Sequence, residues 1–234
     1  MNIIWENITE SVSADNTLAG FPAGFMLNPH SKKRWRAGSQ TATLTISLTS
    51  GCNALCLYNL VADQAVVTVD ANAPVTFDLL HDDGWGAYRD PGLFHTYTAI
   101  AGTHTATIEL STTLSEVSCG VVYSGKNTEW TTPQWGADTG ADSHSIVYDL
   151  DNGFEYVFQR NLSETPQFSL RAGSQAEFFN FKRLAQAAYP NPIIVHLDTL
   201  QKDMIHYARM QAIPKTQLTS FNNYNISFGL KEFL

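Results

Sequence analysis

Cysteine is scarce in this sequence. The 3 residues present among 234, Cys52, Cys56 and Cys119, leave at least one thiol unpaired. That excludes a disulfide framework and fits a chain made in a reducing cytosol. No run approaches the ~18 consecutive apolar residues that a membrane span needs. Positive charge is in deficit: 14 Lys and Arg stand against 22 Asp and Glu, for a net charge of -8. Phosphate neutralisation requires the opposite excess, so a general nucleic-acid binder is excluded. The opening Met1-Asn2-Ile3-Ile4-Trp5-Glu6-Asn7 lacks a basic region followed by an apolar core, so no signal peptide is expected. Catalytic signatures are missing as well. There is no Gly-x-Ser-x-Gly elbow, no His-Glu-x-x-His and no phosphate-cradling loop, and the expectation is a protein without enzyme activity or cofactor.

What is present points to β structure. Hydrophobic residues make up 44% of the chain and aromatic residues 12%, enough for a core and weighted towards strand formers. Thr41-Ala42-Thr43-Leu44-Thr45-Ile46-Ser47-Leu48 alternates apolar and polar residues, the pattern of a strand with one buried face. The basic and aromatic run Lys32-Lys33-Arg34-Trp35-Arg36 leads into it, as a loop at the lip of a sandwich would. Ala54–Val61 is nearly all apolar and reads as a strand buried on both faces. Further strands are expected at 64–69, 75–80, 94–99, 103–110 and 116–123. The stretch 82–92, rich in Gly and aromatics, reads as a long loop between them. Short strands at regular spacing are the signature of a sandwich or barrel.

Periodicity then fades. A shift at Ser124-Gly125-Lys126-Asn127 suggests a domain over residues 1–125 and an extended linker or arm over 126–143. A β-rich domain is expected over 144–234. It opens with a hairpin, 144–149 and 154–161, across Asp151-Asn152-Gly153. Phe178, Phe181, Leu184, Ala185 and Ala188 recur at three- and four-residue steps, which predicts a helix over 175–189 stopped by Pro190. Strands at 168–171, 193–197, 204–212 and 224–233 complete the set. Arg-Ala-Gly-Ser-Gln occurs at both 36–40 and 171–175, but the flanks differ and no repeat architecture follows.

Arg34-Trp35-Arg36-Ala37-Gly38, the strand Thr43–Leu48 and the apolar run Ala54–Leu60 resemble the discoidin-like (galactose-binding-like) jelly-roll modules of tailed-phage tail proteins. So do the Gly-bearing strand Val121-Val122-Tyr123-Ser124-Gly125, the arm after it, and the closing Lys231-Glu232-Phe233. Where that family's first strand carries Asp-Leu-Gly, this chain has Ser47-Leu48-Thr49, a departure that bears on sugar binding more than on fold. The resemblance implies an N-terminal jelly-roll β-sandwich and a virion structural protein of the distal tail or baseplate, made in the bacterial host cytoplasm. It also implies other tail proteins as partners and a homo-oligomer, a trimer or a hexameric ring.

Two clusters could recognise a ligand. Arg34, Trp35 and Arg36 could form a sugar platform, a Trp face for a pyranose ring with guanidinium forks beside it. Strand alternation puts Arg34 and Arg36 opposite Trp35, which favours a Trp35 that plugs the sandwich while the arginines pair with acidic neighbours. Trp85, Tyr88 and Arg89 suit either a host-surface glycan or a protein contact, because the same residue types dominate interface hot spots. Trp130 and Trp135 are candidate arm contacts to a neighbouring protein. Metal binding is not expected. Successive side chains in His81-Asp82-Asp83 diverge, Asp138–Asp142 lacks the closing Glu of a calcium loop, and Cys52 and Cys56 have no second pair. Assembly through protein contacts is the leading reading, and carbohydrate binding for host attachment is the alternative.

Overall fold

The computed structural model describes residues 1–30, 32–82, 84, 86–130, 138–143, 146–149, 155–158, 162–197, 205–220 and 223–232. The chain is mainly β and divides into two units, Met1–Trp130 with Asn191–Tyr207, and Thr131–Pro190 with Ala208–Leu234.

The first unit is built on a β-sandwich. One sheet has the order β2 (Thr9–Ala14), β4 (Thr41–Leu48), β11 (His104–Ser111), β6 (Gln64–Val69), β7 (Val75–Asp78). The facing sheet has the order β10 (Gly92–Thr96), β5 (Ala54–Val61), β12 (Ser118–Gly125), β3 (Trp35–Arg36). Successive strands β4, β5 and β6 alternate between the sheets, as do β10, β11 and β12, which is jelly-roll connectivity. The alternation of β4 is realised residue by residue: Ala42, Leu44, Ile46 and Leu48 are buried and the threonines between them are not. They meet Ile108, Leu110, Leu55, Leu57 and Val122 in the core.

The all-apolar β5 is explained by a further layer. Leu55 and Leu57 face the sandwich core, while Tyr58 points the other way, to the ring of Tyr207 at 5.7 Å. That layer consists of β13 (Asn127–Glu129), β1 (Asn2–Ile4), β18 (Pro192–His196) and Ile205–Tyr207, the first half of β19 (Ile205–Met210). Tyr123 on β12 donates its hydroxyl to the Pro192 carbonyl at 2.7 Å, tying layer to sandwich.

Two expectations change here. The stretch 82–92 contains β9 (Ala87–Arg89), paired with β8 (Leu80–Asp82), so part of it is paired strand rather than loop. Residues 126–143 include β13, paired with β1, and β14 (Asp138–Ser143), paired with β17 (Leu162–Ala172). Backbone pairing of this kind depends on distant partners, which local periodicity does not report.

In the second unit β21 (Asn223–Glu232) is bonded to β17, to β20 (Lys215–Ser220) and to the last residues of β19. The helix α1 (Gln175–Ala188) buries Phe181, Ala185 and Ala188, the i, i+4, i+7 stripe expected of it. Phe181 packs on Phe228 at 5.4 Å, and Phe228 lies beside its cross-strand partner Phe168 at 5.5 Å. Ser174 caps the helix by accepting from the Glu177 backbone N–H, while the Glu177 carboxylate accepts from the Gly173 N–H at 2.9 Å. The expected hairpin is also present, as β15 (Ile146–Asp149) paired with β16 (Glu155–Phe158).

Candidate functional site

Arg34, Trp35 and Arg36 of the basic-aromatic lip are each committed internally. Trp35 has 0% of its surface exposed and donates its indole N–H to the Thr17 hydroxyl at 3.2 Å. A fully buried ring offers no face to a sugar, so the platform reading of Arg34, Trp35 and Arg36 is corrected. The Arg34 guanidinium donates to the Asn59 side-chain oxygen. Asn59 sits at φ 54, a left-handed backbone that Asn tolerates better than most residues, and the arginine fixes it there. Arg36 pairs with Glu116 and lies over the Phe21 ring at 4.8 Å.

Arg89 is likewise structural. Its Nε donates to Asp63 at 2.6 Å and its terminal nitrogen to the Thr113 hydroxyl at 3.3 Å. Asp63 also accepts from the Thr113 N–H at 2.5 Å and the Thr112 hydroxyl at 3.3 Å. Desolvation pushes this carboxyl up, but the Thr113 and Arg89 hydrogen bonds outweigh it and hold the group at about 2. Asp63 therefore pins the β8–β9 hairpin to the rest of the sandwich end. Tyr88 is the exposed member of this group, at 47%, with its ring 5.3 Å from His81. Trp130 is buried, and its backbone N–H donates to the Met1 carbonyl at 2.9 Å, which removes it as a reaching contact. Trp85 and Trp135 lie outside the described residues.

The structure assembles a site elsewhere. A cavity of about 150 Å³ opens beside β10, lined by Asn2, Phe77, Leu79, Asp90, Gly92, Leu93, Phe94, Thr96, His196 and Ile205. Alternation along β10 sends Leu93 into the sandwich core and leaves Phe94 on the other face. Gly92 is required, because a Cβ there would lie 2.3 Å from the Leu57 carbonyl oxygen. Phe94 stacks on His196, with ring centroids 4.9 Å apart at 30°. Asp90, only 2% exposed, is bonded to the His81 Nε2 at 2.9 Å and held by its own N–H to the Leu79 carbonyl.

Nearby, His95 lies edge-on to Phe77 at 5.7 Å and stacks on Tyr97 at 5.9 Å. Burial lowers its imidazole pKa below the usual range and favours the neutral ring. The cavity is thus lined by aromatic rings, by the Asn2 amide, by the His196 imidazole stacked on Phe94, and by the buried Asp90 carboxylate already bonded to His81. Ligand pockets commonly run about 300–1,000 Å³, so this one admits a single ring or side-chain tip rather than an extended ligand. Sequence reasoning missed it because Asn2, Phe94 and His196 come from three distant segments and form no motif.

Among the described residues no three His, Cys, Asp or Glu gather around a metal position, and no helix is long and apolar enough to cross a membrane. Burial raises the thiols of Cys56 and Cys119, the latter to about 12, so both remain protonated small apolar groups.

No protein-family model and no curated protein matches the sequence. Solved structures with partial likeness include reduced XRCC1 bound to the DNA polymerase β catalytic domain, at 15% identity over 52% of this chain and 98% of that one, with a TM-score of 0.41. Another is a chitosan-binding module of a chitosanase/glucanase from Paenibacillus sp. IK-5, at 16% identity over 51% and 98%, with a TM-score of 0.36. A family 89 glycoside hydrolase from Clostridium perfringens gives 15% identity over 52% of this chain and 15% of that one, with a TM-score of 0.35. Likeness at these scores decides nothing about function, which rests on the chain's own geometry.

Proposed function

We propose that the protein is a structural component of a bacteriophage tail, in the distal-tail or baseplate region, and that it works by holding other tail proteins rather than by catalysis. The observation that carries this reading is the β15–β16 hairpin. Among the described residues its two strands pair only with each other. An isolated two-stranded ribbon is at best marginally stable in water, and docking on a partner protein gives such a ribbon a face to pack against. The motif resemblance supplies the tail setting, the virion location and a ring or trimer of copies. The test is mass spectrometry and crosslinking of purified virions. Peptides of this chain should appear in the particle, with crosslinks from residues 146–158 to another tail protein. A stable monomer that never copurifies with virions would sink the reading.

Carbohydrate binding is the second reading, and the Phe94–His196 cavity is what favours it. One sugar ring could lay its apolar face on Phe94 with hydroxyls towards Asp90 and Asn2. A glycan array on the wild type and on Phe94→Ala and Trp85→Ala variants decides it. Binding lost in Phe94→Ala places the sugar in this cavity, and an array without hits removes the reading.

A further inference from the structure

β10 ends its sheet, with β5 on one side and, among the described residues, no strand on the other. The Tyr97 N–H donates to the Asn53 carbonyl at 3.0 Å, in the same register that pairs Thr96 with Ala54. In an antiparallel ladder a residue turns both backbone groups to one side, and its neighbours turn theirs to the other. Tyr97, His95 and Leu93 therefore address β5, while the N–H and C=O of Phe94 and Thr96 point to the open side. Thr96 is exposed and Phe94 half-buried, so this edge reaches solvent. The Phe94–His196 cavity runs along it. Its lining takes Leu93 from the face of β10 that packs in the sandwich core and Phe94 from the opposite face. A hollow touched from both faces of one strand lies at that strand's edge, and β5 fills the other edge.

From this arrangement we propose that β10 is a strand-addition site: an extended segment of another protein pairs with its open edge and sets one apolar side chain into the cavity. Strand addition draws affinity from main-chain hydrogen bonds and specificity from pockets that take alternate side chains. The volume of about 150 Å³, with Phe77, Leu79, Leu93, Phe94 and Ile205 in the lining, fits one anchor, a phenyl ring or a branched aliphatic group. An apolar cavity of about this size accepts benzene. Residues 75–96 carry Asp78, Asp82, Asp83 and Asp90 against Arg89 alone, so the local charge favours Lys or Arg beside the anchor. The proposal deepens the assembly reading, on which it rests for the origin of the partner.

A glycan in the same cavity is the competing account, and it needs no backbone pairing. The probe is a displayed library of linear peptides of about nine residues, selected against the full chain, with calorimetric titration of the enriched peptides. These should share one apolar anchor with basic neighbours and bind saturably. Hydrogen exchange at the Phe94 and Thr96 amides should slow about tenfold or more in the complex, a change that a ligand held only by side chains does not produce. Thr96→Pro removes an outward N–H and leaves the bonds to β5 in place. It should weaken the peptides about tenfold or more, with the melting temperature within about 2 °C of wild type. If Thr96→Pro fails to fold, the exchange readout on wild type decides alone. Selection without a saturable binder overturns the proposal, as do peptides that bind Thr96→Pro like wild type or leave both amides exchanging freely. A glycan-array hit lost in Phe94→Ala would then assign the cavity to sugar. The purified chain is used alone, so a failure here leaves the virion crosslinks, and the assembly reading with them, to be judged separately.

Discussion

The two units place their cations differently. In the first, each arginine described above has a polar partner: Arg34 with Asn59, Arg36 with Glu116, Arg89 with Asp63. Those guanidiniums staple loops to strands, and the aromatic ring among them, Trp35, is fully buried. In the second unit Arg209 stands opposite Lys231 across the β19–β21 pair. A basic-aromatic cluster is therefore not a site by virtue of its composition. What marks a staple is a neighbouring group that already satisfies the charge.

The largest test of that contrast is Trp35→Ala. Removing a fully buried indole should cost about 3–5 kcal/mol, read as a lower denaturant midpoint for the first unit. A cost near zero would mean that the lip is peripheral and return it to the list of surface sites.

Next is Asp63→Asn, which leaves the shape intact and removes the charge that Arg89 and Thr113 address. Loss of the charge-assisted hydrogen bonds should cost about 1.5–3 kcal/mol near neutral pH. The folded carboxyl at about 2 lies below the ~3.9 of an unfolded aspartate. Its contribution is therefore fully present above pH ~4 and is lost as pH falls from there towards 2. Wild type and variant should converge in stability at the acid end. Curves that run parallel across that window would show that the charge does no stapling.

These staples also mark how far the sequence could be read. The alternation of Thr41–Leu48 and the helical stripe of Phe181, Ala185 and Ala188 are local patterns created by one buried face, and both stand in the structure. The short strands Asn2–Ile4 and Asn127–Glu129 have no period of their own and exist because they pair across the chain. Side-chain partners were hidden for the same reason. Glu116 lies 80 residues from Arg36, and Asp63 lies 26 before Arg89. The lip advertised its chemistry but not its burial. The Arg209–Lys231 pairing depends on strand register, which no motif records.

A smaller effect is expected within the second unit from Ser174→Ala. The hydroxyl accepts the Glu177 N–H at 3.1 Å, and losing a cap of this type typically costs about 1 kcal/mol. Hydrogen exchange should quicken in the first turn of α1 while amides of the first-unit sandwich remain protected. Uniform loosening across both units would instead show that they unfold together.

The smallest expected effect has the opposite sign. If Arg209 and Lys231 repel across the strand pair, Arg209→Gln relieves the repulsion and should stabilise the second unit by about 0.2–1 kcal/mol. The matching change in the first unit, Arg36→Gln, breaks the half-exposed pair with Glu116 and should destabilise by up to about 1 kcal/mol. The pair of variants thus tests the contrast by direction rather than size. Raising the salt concentration sharpens it, since screening should shrink the gain in one unit and the loss in the other together. Two losses would show that Arg209 stabilises the second unit, and the contrast would fail.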